Sequence, residues 1–186
     1  MNILQEFDTI TAIATPLGTG GVGVIRISGA DSFNIMSKIF SKQNLVPGKI
    51  AHGWIVDEGK KIDEVIVLPL KNPHSYTGED VIEIHCHGGI NVVKNILDLV
   101  LKSGARMAER GEFTKRAFLN KKLDLSQAEA VADLIHAKTQ NFAVQSAKNL
   151  SGVLRDKILE IKSEIFNTLS RIVAGIDFPE DVAEPE

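Results

Sequence analysis

At Gly104 the sequence changes its period. Before it, short β-branched runs alternate with turn residues. From Glu112 onward, apolar residues recur at steps of three and four. A strand buries every second side chain, and a helix buries a stripe at every third or fourth. The chain therefore needs two architectures in series: a mixed-sheet α/β (α+β) domain over about residues 1–120, then an all-α segment over residues 121–186.

Within the first part, 9–15 and 22–28 read as strands, with the glycine cluster Gly18, Gly20, Gly21 and Gly23 around the join. Asp31 is placed to N-cap a helix over 32–40. Residues 49–56 and 62–70 read as a β-pair joined by Asp57-Glu58-Gly59-Lys60. Residues 80–87 form a further strand, and Gly88-Gly89 opens a helix over 90–102 that Gly104 stops. A short edge strand is expected over 105–108. In the second part, Ser126-x-x-Glu129 reads as a capping box. One long helix is expected from Ala143 to Ile176, its stripe running through Leu150, Ile158, Ile165 and Leu169. Phe178-Pro179 would end it, before a loose acidic tail. So long an apolar stripe needs a partner, either a second chain or further helices beyond residue 186.

Composition excludes several classes. At 186 residues, 44% hydrophobic and 24% charged, the chain has the balance of a soluble globular protein. A net charge of −3 lacks the basic face of an autonomous nucleic-acid binder. Cys86 is the single cysteine, which fits a reducing cytoplasm. No apolar run approaches the roughly 20 residues of a membrane helix. The start MNILQEFDTI lacks the basic and apolar regions of a signal peptide.

Gly18 to Gly23 fits G-x-G-x-x-G, but a β run follows it where a dinucleotide site requires a helix, so it reads as a connector. No G-x-x-x-x-G-K-[ST] occurs, so no P-loop is present and no GTPase activity is expected of this chain. Alternation sets Arg26 opposite Ile25 and Ile27, and sets Glu83, His85 and His87 opposite Ile82, Ile84 and Cys86. Arg26 and Glu83 are then solvated strand residues, a cross-strand ion pair, or two walls of a polar pocket. His85 and His87 share a face, but a zinc site needs more ligands and Cys86 points away, so no metal is assigned. Cys86 reads as core. In GEFTKRAFLNKKLD, the charges Lys115, Arg116, Lys121 and Lys122 fit a solvated helical face. Lys122, just past Asn120 at a helix end, is placed to reach an anionic group. No catalytic triad is nominated.

Three long motifs, in order, carry more. ATPLGTGGVGVIRISG, SYTGEDVIEIHCHGG and GEFTKRAFLNKKLDLSQAEAVADLI, with the final IDFPED, resemble the N-terminal part of the MnmE (TrmE) family of tRNA modification GTPases. The resemblance spans essentially the whole chain. It implies an α/β domain similar to the folate-binding domain of glycine-cleavage T-protein, which binds 5-formyl- or 5,10-methylene-tetrahydrofolate and dimerises. It places the folate contacts on Arg26, Glu83 and Lys122. A carboxylate there suits the amino-pyrimidinone edge of a pterin, and cations suit a carboxylate tail. It further implies a G domain needing GTP, magnesium and potassium outside this chain, which then reads as an N-terminal fragment. It implies a partnership with the FAD protein MnmG (GidA), and addition of a (carboxymethyl)aminomethyl group to the wobble uridine of tRNA in the cytoplasm. The chain departs from the family pattern at Thr19, usually Arg, and at Glu109-Arg110, usually Arg-Pro. Other readings are a stand-alone T-protein-like one-carbon transferase and a non-catalytic dimerisation scaffold.

Overall fold

The computed structural model describes residues 8–177. The start of the N-terminal segment, the Phe178-Pro179 stop and the acidic tail lie outside them. The chain divides into two compact units, Met1–Leu123 and Asp124–Glu186.

Unit 1 is a mixed sheet with helices. Its strands are β1 (Ile10–Ile13), β2 (Gly23–Ser28), β3 (Ala51–Asp57), β4 (Lys60–Leu70), β5 (Val81–Cys86) and β6 (Arg106–Met107). They lie in the order β3-β4-β5-β2-β1-β6. All pairings are antiparallel except β1 with β6. The β3–β4 hairpin turns at Glu58 and Gly59, both with positive φ (45° and 81°). Two such residues match the turn to the strand twist.

Helices α1 (Ser32–Ile39) and α2 (Ile90–Lys102) pack on one sheet face. Their Ile35, Met36, Ile39, Val93, Ile96 and Val100 meet Ile25, Ile27, Val65, Val67, Ile82 and Ile84, all essentially without solvent contact. The isoleucine faces read from alternation are thus the core. Asp31 stands at the α1 N-cap position but makes no side-chain cap bond, so the predicted cap is not formed. The α2 stop is as expected: Ser103 caps, and Gly104 follows with φ +121°. Helix α3 (Glu112–Leu119) completes the unit.

The glycine connector runs without helix into β2, as the sequence reading required. Gly88 packs directly on it. A Cβ at Gly88 would lie 2.5 Å from the Gly20 carbonyl oxygen and 2.9 Å from the Val22 carbonyl carbon. Both are backbone, so neither yields by a rotamer change. Gly88→Ala is expected to destabilise unit 1 by about 1–3 kcal/mol, read as a lower urea midpoint. An unchanged midpoint would show that the connector moves aside freely.

Unit 2 contains α4 (Leu125–His136), α5 (Gln140–Leu150) and α6 (Val153–Asp177). Unit 2 differs from the sequence expectation in two places. The capping box starts at Asp124, which accepts from Gln127 N at 2.9 Å while the Gln127 side chain accepts from Asp124 N. Ser126 instead bonds the same Asp124 carboxylate. The long helix is also two helices, broken at Ser151-Gly152, where Gly152 takes φ +94°. α4 and α5 are tied by Gln127 Nε2, which donates to Leu150 O at 2.9 Å. The α6 stripe, including Ile158, Ile161, Ile165, Leu169 and Ile172, is exposed. No helix of the described residues is long and apolar enough to cross a membrane.

Candidate functional site

The sheet face opposite α1 and α2 carries the charges. β2 and β5 are neighbours, and their register sets Arg26 directly across from Glu83. Arg26 Nε and Nη2 both reach Glu83 Oε1, at 2.8 Å and 2.7 Å. The side chains are 26% and 16% exposed. The cross-strand ion pair is therefore formed, and it lies in a walled setting. The Arg26 guanidinium stands 5.2 Å from the Tyr76 ring centroid and 5.6 Å from that of Phe113. Cation–π attraction at such distances contributes about 0.5–2 kcal/mol.

Tyr76 belongs to the 71–80 loop and Phe113 to α3. Tyr76 Oη and Thr114 Oγ1 are hydrogen-bonded at 2.9 Å, which fixes one ring relative to the other. The loop base is closed by Lys71 and Asp80, and Asn72 N donates to Asp80 Oδ1. Asn120 Nδ2 donates to Thr77 O at 2.8 Å. Lys122 reaches this loop rather than the ion pair: its Nζ donates to Pro73 O at 3.1 Å. Gly78, at φ +77°, lets Asn120 and Lys122 come this close, since a Cβ there would be 3.1 Å from each side chain.

Beneath the loop lies a buried ionic network that sequence reasoning missed. Arg116, 4% exposed, donates to Asp8 O at 2.7 Å, to both Glu79 oxygens at 3.2 Å, and to Glu112 Oε1 at 3.0 Å. Ser28 Oγ donates to Glu79 Oε2 at 2.6 Å. Arg106 clamps Glu112 with bonds of 2.8 and 3.1 Å. Lys115, by contrast, is exposed, as a solvated face predicts.

Burial alone would raise the Glu112 pKa. Hydrogen bonds from Arg106, the Glu109 backbone N–H and Arg116 outweigh it and lower the value from 4.5 to about 2. A lowered folded-state pKa stabilises the fold above the unfolded value and loses that contribution as pH falls. Glu112 is thus expected to contribute on the order of 3 kcal/mol at neutral pH, lost between about pH 4.5 and pH 2. Urea unfolding across that window checks it, with Glu112→Gln expected to flatten the slope.

The histidines separate in role. His87 shapes the strand-to-helix turn: Nδ1 lies 2.6 Å from Asp63 Oδ1, and its backbone N donates to Oδ2. His85 Nε2 lies 3.6 Å from Glu83 Oε2. Cys86 is buried in the core, and burial, then the Asp63 charge, push its thiol up to about 11. It is therefore protonated at neutral pH and a poor nucleophile.

Comparison with known proteins agrees with this division. The family model described as GTP-binding protein TrmE N-terminus matches residues 9–122, and that of the MnmE helical domain matches residues 125–186. The chain belongs to the MnmE family. It is 51% identical over 176 residues to the tRNA modification GTPase MnmE of Thermotoga maritima, covering 94% of this chain and 39% of that protein. It is 54% identical over 187 residues to the MnmE of Streptococcus mutans, covering 98% and 41%. The chain thus spans about two fifths of the length of these MnmE relatives.

Proposed function

We propose that this chain is the folate-binding, self-associating part of a tRNA modification GTPase, with a fold akin to the folate domain of glycine-cleavage T-protein. Arg26, Glu83 and Lys122 hold a 5-formyl- or 5,10-methylene-tetrahydrofolate. The observation that carries this reading is the Arg26–Glu83 pair beside two rings. Both Arg26 nitrogens converge on Glu83 Oε1, so Oε2 stays open to a ligand N–H. Tyr76 and Phe113 supply flat apolar walls next to it. A carboxylate acceptor, a cation and aromatic faces are the donor set that a pterin ring requires.

When bound, the folate supplies a one-carbon unit. The chain's own residues orient the ring and neutralise the anionic tail, Lys122 being the cation on the loop side. In the whole protein, a G domain using GTP, magnesium and potassium, the FAD protein MnmG and tRNA complete the wobble-uridine modification in the cytoplasm. Two copies associate through the α/β unit.

Titration calorimetry with 5-formyl-tetrahydrofolate is expected to give saturable binding at one site per chain. The absence of saturable heat overturns the folate reading. Sedimentation is expected to show association that strengthens with concentration, and a monomer at all concentrations removes the dimer.

A further inference from the structure

Glu83 offers a ring edge one acceptor, and not two. Its Oε1 already receives Arg26 Nε at 2.8 Å and Nη2 at 2.7 Å, which uses both lone pairs of that oxygen. Two parallel hydrogen bonds from a ligand to this carboxylate would require Arg26 to let go. A polar atom beside Oε2 is His85 Nε2, 3.6 Å away. That separation exceeds the roughly 2.7–3.2 Å of a real N–H···O bond. The two atoms therefore do not satisfy each other, and both point to the same open sheet face.

The surroundings suit a flat ligand. The register places His85 between Val24 of β2 and Ile66 of β4. Ile66 is 47% exposed, an apolar shelf beside the imidazole. The His85 side chain is 35% exposed, reachable yet not free in solvent.

We infer that His85 is a specificity-determining ligand contact: Glu83 Oε2 accepts a ring N–H while His85 Nε2–H donates to the carbonyl oxygen next to it. The ligand edge recognised is a lactam, an N–H beside a C=O on a fused heterocycle. Neighbouring atoms of one ring edge can reach both partners across the 3.6 Å gap. A 4-amino ring presents a donor where the lactam presents its carbonyl, so it would face His85 donor to donor, and its unprotonated ring nitrogen also lacks the N–H that Glu83 accepts. Discrimination against such rings follows from leaving polar groups unpaired.

This inference rests on the folate reading, and its test separates the two. Binding of 5-formyl-tetrahydrofolate (4-oxo ring) and of a 2,4-diaminopteridine antifolate is measured by calorimetry on the wild-type chain, Glu83→Ala, His85→Leu and His85→Gln. Wild type is expected to prefer the 4-oxo ligand by about tenfold or more. His85→Leu is expected to lose the His85 share of that preference by weakening 4-oxo binding several-fold, while Glu83 keeps the rest. His85→Gln, whose amide still donates, is expected to restore most of it. If His85→Leu binds both ligands as wild type does while Glu83→Ala fails to bind, the folate site stands and the His85 assignment falls. If wild type binds neither ligand, both fall. Thermal melting of each variant confirms that binding changes are not unfolding.

Discussion

Arg116→Ala is expected to lower the unfolding free energy of the α/β unit by about 3–5 kcal/mol, the range for removing one partner of a buried ion pair. The size follows from what is left behind. Arg116 is nearly without solvent contact and serves two carboxylates and a main-chain carbonyl. Without it, Glu79 keeps only the Ser28 hydroxyl as a side-chain donor among the described residues, and Asp8 O loses its guanidinium. Glu112 suffers less, because Arg106 still holds it. Arg116→Lys is expected to recover only part of the loss, since one ammonium cannot copy a planar fork. Urea unfolding measures both, and a loss under about 1 kcal/mol would place this network among surface pairs. The network also underlies the loop that carries Tyr76, so on the proposed folate reading ligand affinity is expected to fall together with stability.

Glu83→Ala is expected to act on binding instead. The substitution removes the ligand's acceptor and strands the half-buried Arg26 guanidinium between two rings. Losing a ligand hydrogen bond to a charged acceptor costs about 1.5–3 kcal/mol, or about 10-fold and more in affinity. Glu83→Gln keeps an acceptor but not the charge, and is expected to fall between. Calorimetry reads the affinity and a melting curve reads the fold. Wild-type affinity in Glu83→Ala would remove Glu83 from the site.

What the sequence made legible was local. Ile25 and Ile27, or Ile82, Ile84 and Cys86, alternate within one strand, and a strand has one period whatever its neighbours. The α2 limits were legible because Gly89 and Gly104 bracket a clear stripe. What was not legible was pairing over distance. Nothing in residues 22–28 says that β5 rather than β3 lies alongside. Arg116 sits in a charge run that fits a solvated face, and its partners Asp8 and Glu79 are 108 and 37 positions away. Tyr76 and Phe113 were missed for the same reason: an aromatic residue in a loop or on a helix announces no partner. The helix break at Gly152 was hidden because the apolar steps of three and four continue through it, and a lone glycine does not by itself end a helix. At the α4 start, Asp124 and Ser126 offer alternative caps two residues apart, and the helix begins from the Asp124 carboxylate.

The sheet order has a consequence for how this protein reaches its native state. β1 and β2 form one antiparallel block, and β3, β4 and β5 form another. Each block pairs strands close together in the chain. Within the sheet the two blocks join only along β2 and β5, where Arg26 meets Glu83 across 57 residues. Pairings so distant form late, because their loop entropy must be lost before they are rewarded. A partly folded chain with an open seam holds Arg26 and Glu83 apart. On the proposed folate reading, the ligand recognises only molecules whose seam has closed, pulling the refolding equilibrium forward by mass action.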